Sequence, residues 1–149
     1  MKIGEFCNRE VVVINSDESV KVAAELMRTH HVGDLVLVEE KNKKLVPIGI
    51  ITYRDLVLEV MASGLTSDSL TVRDILTEPL VFLFENDSFF DALDLMHTQR
   101  VRRLPIVNSD HSLVGIIIID DMIDILSEKL TQIVSLVKLQ QKREAKKRA

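Results

Sequence analysis

The stretch Gly49-Ile50-Ile51-Thr52-Tyr53-Arg54-Asp55 joins an apolar run to a threonine and, three residues on, a carboxylate. Upstream, Val46, Ile48, Ile50 and Ile51 are β-branched and interrupted by Pro47 and Gly49, the composition of a buried strand. Downstream, Leu56, Val57, Val60 and Met61 recur at helical spacing. Thr52 to Asp55 therefore reads as a strand-to-helix junction, where unpaired backbone N–H groups and the positive end of the helix dipole favour an anion or a polar oxygen ligand. The same four residues also spell a capping box, in which Thr52 and Asp55 satisfy the chain's own N–H groups. The junction alone does not separate the two readings.

The rest of the chain narrows the choice. Its 149 residues, 46% hydrophobic and 28% charged, suffice for one compact domain or two small interdependent ones. No signal-like N-terminus is visible, and the longest stretch without a polar side chain, Leu113 to Ile119, is too short to span a bilayer. A cytoplasmic protein without a membrane partner is expected. The single Cys7, with Ile3 and Phe6 nearby, reads as a small buried hydrophobe. The net charge of −4 hides a basic tail: Lys138, Lys142, Arg143, Lys146, Lys147 and Arg148 stand against one acid, Glu144. No aromatic residues are interleaved with these charges, so solvation and the helix dipole explain the tail better than nucleic acid does.

Sliding the sequence against itself by 69 positions brings two halves into register. Ile3 to Cys7 falls on Val72 to Leu76, Val11 to Ile14 on Leu80 to Leu83, and the helix-opening cluster Ser16 to Ser19 on Glu85 to Ser88. The stripes Val20, Ala23, Ala24, Met27 and Phe89, Ala92, Leu93, Met96 have core spacing. His31 to Val38 then falls on Arg100 to Val107. The offset drops to 66 after Glu39 to Leu45, read as a longer loop in the first copy, so that Gly49 to Leu56 aligns with Gly115 to Met122. Each copy reads helical turn, strand, helix, strand, strand, helix. One copy would be marginal alone, whereas two sharing a core would not. The expected division is 1–66 for the first repeat, 67–130 for the second, and 131–149 for a helical extension ending in a polar, frayed tail. The stripe Ile123, Leu126, Leu130, Ile133, Val134, Val137 outlasts its counterpart and points to a homodimer contact.

The two copies differ where ligands would bind. The second version of the opening stretch has Ile118 where Thr52 stands, yet a helix follows there too, so a threonine is not needed merely to start one. The turn before the second long strand is Gly33-Asp34 in the first copy and Arg102-Arg103 in the second. A cleft joining Thr52 and Asp55 to Arg102 and Arg103 would supply a hydroxyl and two guanidiniums for phosphate and a carboxylate for vicinal hydroxyls. The related cleft, Ile118 and Asp121 with Gly33 and Asp34, would repel phosphate. One good anionic site and one poor or empty one are expected per chain.

The duplicated pattern, with G-h-h-T-x-x-D in one copy and a basic turn before an L-P-h-V strand in the other, resembles a tandem pair of cystathionine-β-synthase (CBS) domains, the Bateman module, over residues 3 to 130. It looks most like small stand-alone bacterial members. The resemblance implies an α/β fold of two β-α-β-β-α repeats about a pseudo-two-fold axis, each with a mixed three-stranded sheet, often dimerised into a disc. It also implies an adenosine-containing regulatory ligand such as AMP, ADP, ATP, S-adenosylmethionine or NAD. By match, Asp55 would hold the ribose, Thr52 a phosphate, Arg102 and Arg103 its charge, and Arg54 a distal phosphate. Val12 to Ile14 and Val32 to Leu35, with Gly33 between, would sandwich the adenine, and Asp121 would be a weaker participant in the second site.

An enzyme finds little support in the residues. His30, His31, His97 and His111 show no metal-ligand spacing, no nucleophile elbow or P-loop occurs, and the pairs Asp17/Glu18 and Asp120/Asp121 read as helix-start residues. The sequence reading is a non-enzymatic adenine-nucleotide sensor with no obligatory cofactor, acting on another, unnamed protein. The alternative is a dimerisation adaptor with a vestigial site.

Overall fold

The computed structural model describes residues 1–76 and 78–148, without the side chain of Arg148. That side chain, Thr77 and Ala149 lie outside the described residues. The chain divides into Met1–Ile117 and Ile118–Ala149.

The first unit carries two three-stranded sheets, ordered β1-β2-β3 and β4-β5-β6. The strands are β1 (Val13–Asn15), β2 (Asp34–Lys41), β3 (Lys44–Thr52), β4 (Leu83–Phe84), β5 (Arg103–Val107) and β6 (Leu113–Ile118). Its helices are α1 (Val20–His30), α2 (Tyr53–Leu56, continued by a π-helical turn Val57–Met61) and α3 (Phe89–Gln99), with 3₁₀ turns at Ile3–Glu5 and Val72–Ile75. The expected α/β arrangement of two mixed sheets is the observed one.

The 69-residue offset reappears in the hydrogen-bonded register. Ile14 pairs with Leu37 and Asn15 with Val38, as Leu83 pairs with Ile106 and Phe84 with Val107. In the first sheet Val36 N–H also donates to Val12 C=O (3.1 Å), adding the pair Val13 and Val36. The position equivalent to Val36 is Pro105, which has no N–H to donate, and β4 is correspondingly one residue shorter than β1. Both helices that follow begin on a serine, Ser19 or Ser88, and end on a left-handed residue, His31 or Arg100 (φ 54° and 55°).

The expected loop Glu39 to Leu45 does not exist. β2 and β3 run almost to each other and are joined at Asn42 and Lys43, both at positive φ (52° and 65°), the twist that a two-residue hairpin needs. The first copy is longer in its strands, because asparagine tolerates the left-handed conformation and the flanking polar residues still alternate across a paired ribbon.

Strand β2 is buried on both faces, which accounts for its unbroken apolar run. Leu35 and Leu37 join Ile14, Val20, Ala23, Met27 and Ile51 in the core under the helices, whereas Val36 and Val38 pack with Ile116 of the other sheet.

The two repeats exchange their leading turns. Ile3 N–H donates to Asp87 C=O (2.7 Å), Gly4 N–H to Glu85 C=O (2.9 Å) and Phe89 N–H to Met1 C=O (3.1 Å). At the equivalent positions Val72 N–H donates to Glu18 C=O (2.9 Å), Arg73 N–H to Ser16 C=O (3.2 Å) and Val20 N–H to Leu70 C=O (2.9 Å). Val72 and Ile75 accordingly belong to the core of the first repeat. This crossing also explains two glycines. A Cβ on Gly49 would stand 2.5 Å from the Leu76 side chain, and one on Gly115 would stand 2.6 Å from the backbone oxygen of Asn8. Asn8 is bridged to Ile116 by two backbone bonds, so it cannot withdraw as a leucine tip can. Gly115→Ala is expected to cost about 1–3 kcal/mol, clearly more than Gly49→Ala, when both are measured by denaturant unfolding.

The second unit is dominated by helix α4 (Ile119–Arg148). The expectation of fraying past Lys138 is corrected, since the helix continues through the polar end. Leu139, Gln140, Gln141, Lys142, Arg143, Glu144 and Ala145 are all good helix formers, without glycine or proline, and cations suit a helix C-terminus.

Candidate functional site

The junction Thr52 to Asp55 is a capping box. Thr52 Oγ1 accepts from Asp55 N–H (3.3 Å), and Asp55 Oδ2 accepts from Thr52 N–H (2.8 Å) and from the Thr52 hydroxyl (3.2 Å). Neither contact to the carboxylate uses Oδ1. Capping and ligand binding are thus compatible, with one oxygen holding the turn and the other available to a diol. The α-helical part of α2 is only four residues, and Tyr53 N–H is already taken by Gly33 C=O (3.0 Å). A phosphate here would depend on the hydroxyl and nearby cations more than on a helix dipole.

Thr52 and Asp55 line a cavity of about 250 Å³, and Arg102 and Arg103 line the same cavity. The exchanged 3₁₀ turn makes this possible: Leu76 and, after it, Glu78, Pro79, Leu80 and Val81 line the cavity together with Gly49, Ile50 and Ile51 of β3. Leu80, Val81 and Val101 give the cavity an apolar wall, and Glu78 adds a second carboxylate.

The structure places the other expected residues elsewhere. Val12, Ile14, Val32, Gly33 and Leu35 do not line this cavity. Ile14 and Leu35 are buried in the first repeat's core, with Val12 and Val32 against it. Val81 and Val101 occupy the positions equivalent to Val12 and Val32, so the apolar wall comes from the opposite repeat. Sequence matching finds equivalent positions but cannot tell which copy serves which cleft, whereas the exchanged turn decides it. Leu80, Val81 and Val101 carried a signal only through that equivalence, and Glu78 carried none. Arg54 is exposed on α2 and away from the lining. Asp121 stands in the first turn of α4, outside the unit that forms the cavity.

Arg103 is not a simple phosphate cation. Its Nε forms an ion pair with Asp34 Oδ2, although that nitrogen makes no aligned hydrogen bond. Asp34 and Arg103 are equivalent positions, 69 apart, and they meet each other. Two identical repeats would place like charges there, and the substitution of one turn turns repulsion into attraction. Both side chains are about a quarter to a third exposed, so solvent weakens the pair without removing it.

Cys7 is half-buried, and its thiol pKa is raised chiefly by burial, against the opposing charge of Arg9. That environment disfavours the thiolate a nucleophile needs. Among the described residues, no group of three or more His, Cys, Asp or Glu side chains is arranged to hold a metal ion. No helix there is long and apolar enough to cross a membrane.

The CBS domain model matches residues 3–62 and 72–128. The chain belongs to the CBS-domain family. Protein MK0525 of Methanopyrus kandleri is 36% identical over 125 residues, which are 84% of this chain and 62% of that protein's length. Hypoxic response protein 1 of Mycobacterium tuberculosis is 30% identical over 113 residues, 76% of each chain. The crystal structure of Hypoxic Response Protein I, which holds two coordinated zinc ions, superposes with a TM-score of 0.72 at 27% identity, covering 83% of this chain and 98% of that one. The CBS domain protein PAE2072 of Pyrobaculum aerophilum, complexed with AMP, gives 0.71 at 24% identity over 81% and 89% of the two chains. At that identity the likeness concerns the fold alone.

Proposed function

We propose that this CBS pair is a non-enzymatic regulatory module that binds an adenine nucleotide in the cavity between Thr52/Asp55 and Arg102/Arg103. The observation that carries the reading is the convergence of these four residues, from two repeats, on one cavity. Asp55 Oδ1 takes the ribose hydroxyls, Arg102 takes phosphate with the Thr52 hydroxyl once its proton turns from Asp55 Oδ2, and Leu80, Val81 and Val101 cover the base. AMP in the Pyrobaculum protein supports the reading to the extent that this fold accommodates an adenine nucleotide. Such a ligand can signal only by binding one conformation better than another, and a cavity walled by both repeats gives it that opportunity. The regulated protein is another chain or segment. In the cytoplasm, its expected location, such a module would sample adenylates continuously.

A second reading, a dimerisation adaptor with a vestigial site, is favoured by one observation: both Asp55 and Arg103 already have partners within the chain. Mass spectrometry of small molecules released on denaturation, followed by calorimetry with AMP, ADP, ATP, NAD and S-adenosylmethionine, separates the two. Recovery and submillimolar rebinding of one adenine nucleotide support the sensor. No release and no binding favour the adaptor.

The Asp34 and Arg103 pair makes a sharper expectation. Asp34→Asn removes the charge competing with phosphate for Arg103, so affinity for the phosphate-bearing ligand should rise about threefold or more in calorimetry. Unchanged affinity would remove Arg103 from the ligand's contacts.

A further inference from the structure

The charges that line the cavity are few and unevenly matched. Arg102 and Arg103 are its cations, Asp55 and Glu78 its anions, and Arg103 is shared with Asp34. Among the described residues no other Lys, Arg or His lines it, and Arg54, expected to receive a distal phosphate, stands elsewhere. At most, two guanidiniums match one terminal phosphate, which carries about −1.5 to −2 at neutral pH. A second or third phosphate finds no further cation.

Glu78 stands where such phosphates would pass. Glu78 and Arg102 are exposed, whereas Thr52, Asp55 and Arg103 are half-buried, so a phosphate-binding guanidinium and the second carboxylate share the mouth of the cavity. No described cation pairs with Glu78. A volume of about 250 Å³ corresponds to a sphere about 8 Å across, one Debye length at physiological ionic strength, so Glu78 acts on a bound phosphate whichever way its side chain turns. That volume also lies below the roughly 300–1,000 Å³ of pockets that enclose drug-sized ligands, and the tail of a triphosphate has to leave through the mouth.

We infer, in a step that rests on the nucleotide binding proposed for this cavity, that the site discriminates ligands by phosphate number and favours a nucleoside monophosphate, with Glu78 as the specificity-determining residue. Glu78 repels every phosphate at the mouth, but the first is held by Arg102 and Arg103 and the others are not. The equivalent position 69 residues earlier is Arg9, so the scaffold accepts either sign of charge there.

Calorimetry of the intact chain with AMP, ADP and ATP in magnesium-free buffer tests this selectivity. Affinity should fall from AMP through ADP to ATP, by about tenfold over the series at low salt, and the gap should narrow as salt rises. Glu78→Gln should raise ATP affinity about threefold more than AMP affinity, and Glu78→Arg should bring ATP level with AMP or beyond it. The unfolding midpoint of the free protein should stay at the parent's value in both variants, because the side chain is exposed. ATP bound by the parent as tightly as AMP, or equal changes for the two ligands in both variants, would overturn the selectivity and leave nucleotide binding standing. Binding of none of the three nucleotides would overturn the nucleotide site itself, and the selectivity with it.

Discussion

Ile3→Ala is expected to lower the unfolding free energy by about 2–5 kcal/mol, the range for truncating a fully buried aliphatic side chain. Ile3 has no exposed surface, although it lies three residues from the N-terminus, where such a change is ordinarily tolerated. Its turn is stitched to the second repeat by backbone bonds at Met1, Ile3 and Gly4, and the neighbouring Phe6 ring meets Phe89 edge-on at 6.4 Å. For a chain of this size the loss corresponds to a fall in Tm of roughly 5–15 °C. Met61→Ala, at a side chain 72% exposed, should change stability by no more than about 0.5 kcal/mol. Thermal unfolding of the two variants side by side makes the comparison, and equal behaviour would mean that the exchanged turn is not a structural element in solution. Since the second repeat supplies Arg102, Arg103, Leu80 and Val81 to the cavity, Ile3→Ala should also weaken any ligand bound there.

The second large effect concerns that ligand. Asp55→Ala and Arg102→Ala should each reduce nucleotide affinity by at least about tenfold, equivalent to 1.4 kcal/mol or more, because a charge-assisted contact is lost. Asp55→Ala should also cost about 0.5–2 kcal/mol of stability, since the same carboxylate caps Thr52 N–H. Asp55→Asn separates the two roles. Its amide oxygen can still accept the capping bond, so stability should largely return while affinity stays reduced. Calorimetry with the nucleotide recovered from the protein, alongside denaturant unfolding, reads both. Affinity unchanged in Asp55→Ala and Arg102→Ala alike would leave Thr52 and Asp55 as a capping box and nothing more.

The capping box and the ligand reading were rivals in the sequence because both need a hydroxyl and a carboxylate at that spacing. The cap uses only Oδ2 of Asp55, which leaves Oδ1 for a ligand. Other ambiguities had a different origin. The segment Glu39 to Leu45 is polar enough to read as a loop, yet Asn42 and Lys43 fold into a two-residue turn, a difference of backbone conformation that composition does not register. The polar end of α4 read as frayed because it lacks a core face, but propensity over a run of good helix formers carries it to Arg148.

What the sequence determined by itself was everything expressed locally or by comparison of the chain with itself: the 69-residue duplication, the order of elements, the core stripes of α1 and α3, and the loss of threonine at Ile118. Each depends on side-chain periodicity or identity, which the chain carries wherever it goes. Only the tertiary structure decided which copy lends its residues to which site. The leading turn of each repeat docks on the other, so the walls of the cavity are Val81 and Val101 instead of Val12 and Val32, and Asp34 meets its own counterpart Arg103. Those are contacts between equivalent halves, and a repeat in sequence is the same whether its halves keep their turns or exchange them.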